Sequence, residues 1–172
     1  DKNAVKSAIN SSDASPDYDQ LQTLYTQLKN AIHHAAQQHQ NFILIYILLE
    51  HFRTIDDQAI DSDMDEVLNE ATRRLRATLR DSDEVIHFQV NKFALILPDT
   101  NAEMMSPLVE KIRKILQVPY LIGIHSIVLD ANIGLAVYPK NGKDPADLIS
   151  EAQILLPQTE VLTANSNATE AN

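Results

Sequence analysis

The chain has 172 residues, 44% of them hydrophobic and 22% charged, a composition that can bury one core and that argues against wholesale disorder or a fibrous repeat. Its net charge of −10 disfavours nucleic acids and anionic membrane surfaces, because clustered Lys and Arg supply most of the non-specific affinity for phosphate. A small anion stays open as a ligand, since the field at contact range is set by nearby charges.

The longest apolar run, Phe42 to Leu49, is far shorter than the roughly 20 residues of a membrane-spanning helix, so no span is expected. The absence of cysteine excludes disulfides and thiolate chemistry and fits the cytoplasm. Residues 1–16 read as a polar linker. They carry neither an initiating Met nor the basic-then-apolar order of a signal peptide, so the chain is expected to be a cytoplasmic part of a longer protein, with a sensory or membrane part upstream admitted.

Leu21, Leu24, Tyr25, Leu28, Ile32 and Ala35 recur at three- and four-residue steps, which predicts a helix from about Tyr18 to Gln38. Phe42 to Leu49 is expected as a central strand buried on both faces. Val67, Leu68, Ala71, Leu75 and Leu79 share one face of a second helix, Met64 to Leu79, with Arg73, Arg74 and Arg76 on the remainder. Glu84 to Gln89 and Lys92 to Leu97 form a hairpin. A third helix over Ala102 to Leu116 precedes strands at Tyr120 to Ile122, Ser126 to Asp130 and Asn132 to Tyr138. The last helix spans Asp144 to Leu155, and residues 159–172 read as a flexible tail. The fold class is α/β in the α+β sense, a central, mostly antiparallel sheet flanked by helices over residues 17–158.

Several motifs fail on inspection. Asp61-Ser62-Asp63-Met64-Asp65 begins like a calcium loop, but Glu66 stands where the sharp turn needs Gly and Thr72 where a bidentate Glu belongs. The histidines lack a second ligand at an established spacing. Gly123, Gly134 and Gly142 are scattered, so no phosphate-cradling glycine loop is present.

Taken in order, other segments resemble GGDEF domains, the diguanylate cyclase fold. After the buried strand, Glu50-His51-Phe52-Arg53-Thr54-Ile55-Asp56-Asp57 resembles the family's D-x-D-x-F-K-x-I-N-D segment. Asp65-Glu66-Val67-Leu68, Arg80-Asp81-Ser82-Asp83, Phe93 to Pro98 and Ile133 to Pro139 fall at the family's spacing. The resemblance implies the cyclase-like fold and a place in bacterial cyclic di-GMP signalling.

It also implies loss of the activity. The family's Gly-Gly-Asp/Glu-Glu-Phe signature reads Gln89-Val90-Asn91-Lys92-Phe93 here. The glycines would let backbone approach the GTP phosphates, and the acid would hold a divalent cation. The other metal-binding acid is replaced by Leu48, a hydrocarbon that ligates nothing. The stretch Ala152 to Glu160, where the family carries a phosphate-binding Lys, has Pro157 and no Lys or Arg. Asp65 is kept from the guanine-reading pair and Asp56 replaces its Asn. No catalytic residue, metal site or cofactor is expected. An ion pair of Lys92 with Glu50 or Asp56 is expected to fill the vacated site, the alternative being a solvated Lys92 at the hairpin tip.

What remains is Arg80-x-x-Asp83, which in the family is the inhibitory site for cyclic di-GMP. A guanidinium forks onto phosphate or a guanine edge, and a carboxylate accepts from guanine nitrogens. Lys111, with Arg113 close by, stands where the family often adds a basic residue. The expectation is a non-enzymatic cyclic di-GMP receptor acting through Arg80, Asp83, Lys111 and Arg113. Its partner is a neighbouring domain or another protein, and a homodimer is admitted. The alternative is a ligand-free interaction or dimerisation scaffold. An exposed Arg80 is expected to add little to folding stability.

Overall fold

The computed structural model describes residues 16–58, 60, 63–100 and 102–154. The expected tail, the linker up to residue 15, Asp61 and Ser62 of the calcium-like run, and Pro157 and Glu160 lie outside the described residues. The chain order is α1 (Pro16–Gln38), β1 (Phe42–Thr54), α2 (Met64–Thr78), β2 (Glu84–Phe88) and β3 (Lys92–Pro98). A 3₁₀ turn (Ala102–Met104), α3 (Met105–Gln117), β4 (Tyr120–Ile122), β5 (His125–Tyr138) and α4 (Pro145–Ala152) follow. The sheet is five-stranded, in the order β2-β3-β1-β5-β4, and every pairing is antiparallel. This is the α/β class read from the sequence.

β1 lies at the centre, and its apolar run is continuous because helices cover both of its faces. Ile43, Ile45, Ile47 and Leu49 pack with Val67, Leu68, Ala71 and Leu75 of α2 and with Ile112 and Leu116 of α3. Phe42, Leu44 and Tyr46 pack with Leu24 and Leu28 of α1 and with Leu148 and Ala152 of α4. Alternation along one strand therefore feeds two separate cores.

The strand ends differ from the sequence pattern. β5 is one strand of 14 residues, not two, because pairing runs on through Leu49↔Ala131 and Glu50↔Asp130. The Asp130-Ala131-Asn132 stretch is a half-buried polar alternation and not a turn. β1 likewise continues past Leu49 to Thr54, with a register shift between Glu50 and Arg53 where His51 adopts a left-handed φ of 55°. α4 ends at Ala152, short of the predicted Leu155.

Arg74 does more than cover the outer face of α2. Its Nη1 donates to the carbonyls of Ile115 at 2.8 Å and Val118 at 2.7 Å, and its Nη2 to that of Pro119 at 3.0 Å. These carbonyls lie in the last turn of α3 and just past its end, where helix carbonyls lack intrahelical donors, so the guanidinium caps that helix from a neighbouring one. The cation also stacks 3.8 Å from the Tyr120 ring centroid. Burial pushes the Tyr120 phenol up to about 12, and its hydroxyl donates to the Leu116 carbonyl at 2.7 Å.

Candidate functional site

Arg80 leaves the end of α2 in a tight turn closed by Asp83. The Asp83 backbone N–H donates to the Arg80 carbonyl at 3.0 Å, and Asp83 Oδ2 accepts from the Arg80 backbone N–H at 2.9 Å. The side chains then meet: Arg80 Nη2 donates to Asp83 Oδ1 at 2.9 Å and Nε to Oδ2 at 3.3 Å. Nη2 also reaches across to the far end of β3, donating to the Pro98 carbonyl at 2.7 Å and to Thr100 Oγ1 at 3.2 Å. The hydrogen bond with Asp83 is the first cause that holds the guanidinium pKa above its ordinary value.

The two partners are unequal. The Arg80 side chain is 54% exposed and that of Asp83 only 3%. Asp83 is therefore engaged in holding Arg80, while Arg80 Nη1 makes no bond to the described residues. Beside the pair lies a cavity of about 310 Å³, walled by Leu79, Leu97, Met104 and Leu108 with Asp99 and Thr100 at its polar side. A fixed cation next to an apolar slot suits a ligand carrying both an acceptor edge or phosphate and a flat ring.

The two basic residues expected on the next helix do not line this cavity. Lys111 is exposed on α3. Arg113 is buried, its side chain 6% exposed and its Nη1 donating to Glu110, and its Nε has no partner. The structure thus brings Arg80 and Asp83 together and does not bring Arg113 to them.

At the opposite end of the β2–β3 hairpin, the tip keeps an unusual backbone. Gln89 and Val90 have φ of 46° and 66°, a left-handed conformation that glycine adopts freely and a β-branched residue resists. Asn91 ties the tip to β1: its Nδ2 donates to the Leu49 carbonyl at 2.7 Å, and its own carbonyl accepts from Leu49 N–H at 2.9 Å. The turn thus holds the shape a glycine pair would take, without glycine. Val90→Gly is expected to stabilise the fold by about 1 kcal/mol, relief of left-handed strain outweighing the entropy glycine adds to the unfolded chain. A urea midpoint that falls on this substitution would contradict it.

Around the tip the expected ion pair is not formed. Lys92 Nζ donates to Gln89 Oε1 at 2.8 Å. Glu50 Oε2 accepts from Asn132 Nδ2 at 2.8 Å, and Asp56 accepts from the Thr54 hydroxyl, a bond that holds its carboxyl below the usual range. A neutral group near each charge satisfies it: the amides of Gln89 and Asn132 for Lys92 and Glu50, and the Thr54 hydroxyl for Asp56. Leu48 sits half-buried between Lys92 on β3 and Asn132 on β5. Asp65 is exposed in the first turn of α2, and no bond joins it to Asp56.

Residues 20–165 match the family described as "Diguanylate cyclase, GGDEF domain". The chain belongs to the GGDEF family. It is 32% identical over 112 residues to the uncharacterized protein YhcK of Bacillus subtilis, covering 64% of this chain and 31% of that protein. It is 25% identical over 123 residues to the cyclic di-GMP phosphodiesterase NbdA of Pseudomonas aeruginosa, covering 72% of this chain and 16% of that one. The chain thus spans less than a third of either relative. In fold it is similar to the crystal structure of a sensory box/GGDEF family protein from Caulobacter crescentus. The TM-score is 0.70 at 20% identity, covering 78% of this chain and 88% of the other.

The GGDEF frame clarifies what sequence reasoning could and could not reach. The Arg80 and Asp83 types were legible from their offset to the signature. The Pro98 carbonyl and the Thr100 hydroxyl that also hold the Arg80 guanidinium were not, because they lie 18 and 20 residues further on and meet Arg80 only when β2 and β3 pair.

Proposed function

We propose that this GGDEF domain is a non-catalytic receptor for cyclic di-GMP, using Arg80 as its contact residue, Asp83 as the group that aims it, and Lys111, exposed on α3 outside the cavity wall, as a second cation. One observation carries the reading: the Arg80 guanidinium is held by Asp83, Pro98 and Thr100, its Nη1 makes no bond to the described residues, and Arg80 lines a largely apolar cavity. The ligand would lay a base against Leu79, Leu97 and Met104 and an acceptor against Nη1. Binding would then bias how the domain packs on a neighbouring domain or protein.

The catalytic end supports the same reading from the other side. Leu48 and Asn91 offer no anionic oxygen for the two cations that activate a hydroxyl and neutralise the triphosphate. Val90 and Gln89 put side chains where phosphate would have to approach backbone. We expect no cyclic di-GMP from GTP with magnesium or manganese, and product above a no-enzyme blank would overturn that. Calorimetric titration with cyclic di-GMP tests receptor function directly, saturable heat being the expected result.

A second reading, a ligand-free interaction scaffold, is favoured by the burial of Asp83. A carboxylate 3% exposed and already accepting from Arg80 is what a purely structural turn would show. Absence of saturable binding at high micromolar ligand selects this reading.

A further inference from the structure

We propose that Asp99 sets the strength and charge preference of the Arg80 site, lowering its affinity for a phosphodiester ligand while leaving that for an uncharged purine nucleoside unchanged. The inference rests on the receptor reading above. Asp99 stands between the two residues whose oxygens hold the guanidinium, Pro98 at 2.7 Å and Thr100 at 3.2 Å, and it lines the same cavity. The ion pair of Arg80 is made with Asp83 and not with Asp99.

The wall of this cavity therefore carries one guanidinium against two carboxylates, with neither Lys111 nor Arg113 among the lining residues. The two carboxylates are not equivalent. Asp83 is buried against Arg80, so its charge is largely spent in that pair. Asp99 is exposed, and its charge acts on Arg80 from a distance. A phosphate entering this cavity meets attraction from Arg80 and repulsion from Asp99, which line the same wall. A neutral ring entering against Leu97 and Met104 meets only the apolar wall.

Asp99 has a left-handed φ of 47°, a conformation that Asn tolerates at least as well as Asp. Asp99→Asn therefore removes one charge and keeps the shape of the turn and both anchors of Arg80. The wild-type chain and this variant are titrated with cyclic di-GMP and with guanosine, each at low and at physiological salt. Thermal midpoints are recorded alongside.

The variant is expected to bind cyclic di-GMP roughly three- to tenfold more tightly at low salt, as removal of a like charge from the same cavity wall predicts. The gain shrinks at physiological salt because the charge is solvent-exposed. Guanosine affinity and the thermal midpoint stay the same. Binding seen only in the variant also supports the proposal. Equal cyclic di-GMP affinity in both proteins overturns the role of Asp99 and leaves the receptor reading standing. An equal gain for guanosine overturns it as well, since the cavity would then have been reshaped. No saturable binding in either protein overturns the role of Asp99 and the receptor reading together.

Discussion

Gly134→Ala is expected to destabilise the domain by about 3 kcal/mol, at the upper end of what overpacking one methyl costs in a core. Gly134 lies in β5 opposite Tyr46 of β1, under the last turn of α4. A Cβ at this position would stand 2.0 Å from the Ala152 carbonyl oxygen and 3.0 Å from that of Ile154. Both are backbone atoms and cannot rotate aside. Relief requires α4 to lift from the sheet, which withdraws Leu148 and Ala152 from the cluster they share with Phe42, Tyr46 and Tyr138. Gly123 provides the contrast. It has φ of 60° and nothing within 4 Å of an added Cβ, so Gly123→Ala carries only the left-handed backbone term of about 1 to 2 kcal/mol. Urea unfolding of the two variants separates crowding from backbone strain, and a Gly134→Ala loss no larger than that of Gly123→Ala would sink the account.

How much of this was readable beforehand depends on whether the signal was local. The β1 run and the α2 stripe were legible because burial on both faces, or on one, imposes a period that composition alone reveals. The unbroken β5 was not, because Asp130 and Asn132 look like punctuation until Glu50 and Leu48 are found opposite them. Arg74 reads as one of three surface arginines, since its acceptors are backbone carbonyls at the end of another helix, and a carbonyl leaves no mark in a sequence. Arg113 fails in the converse way: it adjoins Ile112 on the buried side of α3, and a position beside Lys111 in sequence says nothing about which way a helix turns it. The Lys92 expectation failed because it counted charges and overlooked the amides of Gln89 and Asn132, which were nearer.

Arg80→Ala is expected to weaken cyclic di-GMP binding on the order of ten- to a hundredfold, the value of a charge-assisted contact of about 1.5 to 3 kcal/mol. The structure changes the companion expectation for stability. An exposed arginine should fold or unfold at little cost, but here its removal leaves Asp83, 3% exposed, with the Arg80 backbone N–H as its donor, and takes from the Pro98 carbonyl the Nη2 bond, leaving it that of the Thr100 hydroxyl. A loss of about 1 to 3 kcal/mol in folding stability therefore accompanies the loss of affinity. Arg80→Lys separates the two effects. The lysine keeps a cation over Asp83 and so recovers part of the stability. It lacks the planar fork that reaches Asp83, Pro98 and Thr100 while leaving a second edge for ligand, so affinity stays low. If Arg80→Ala is destabilised as expected while the wild-type chain takes up no cyclic di-GMP at high micromolar concentration, the pair is structural and the scaffold reading replaces the receptor. If the wild-type chain binds and both substitutions bind equally well, the ligand lies elsewhere on the domain, and the Arg80 cavity has no part in it.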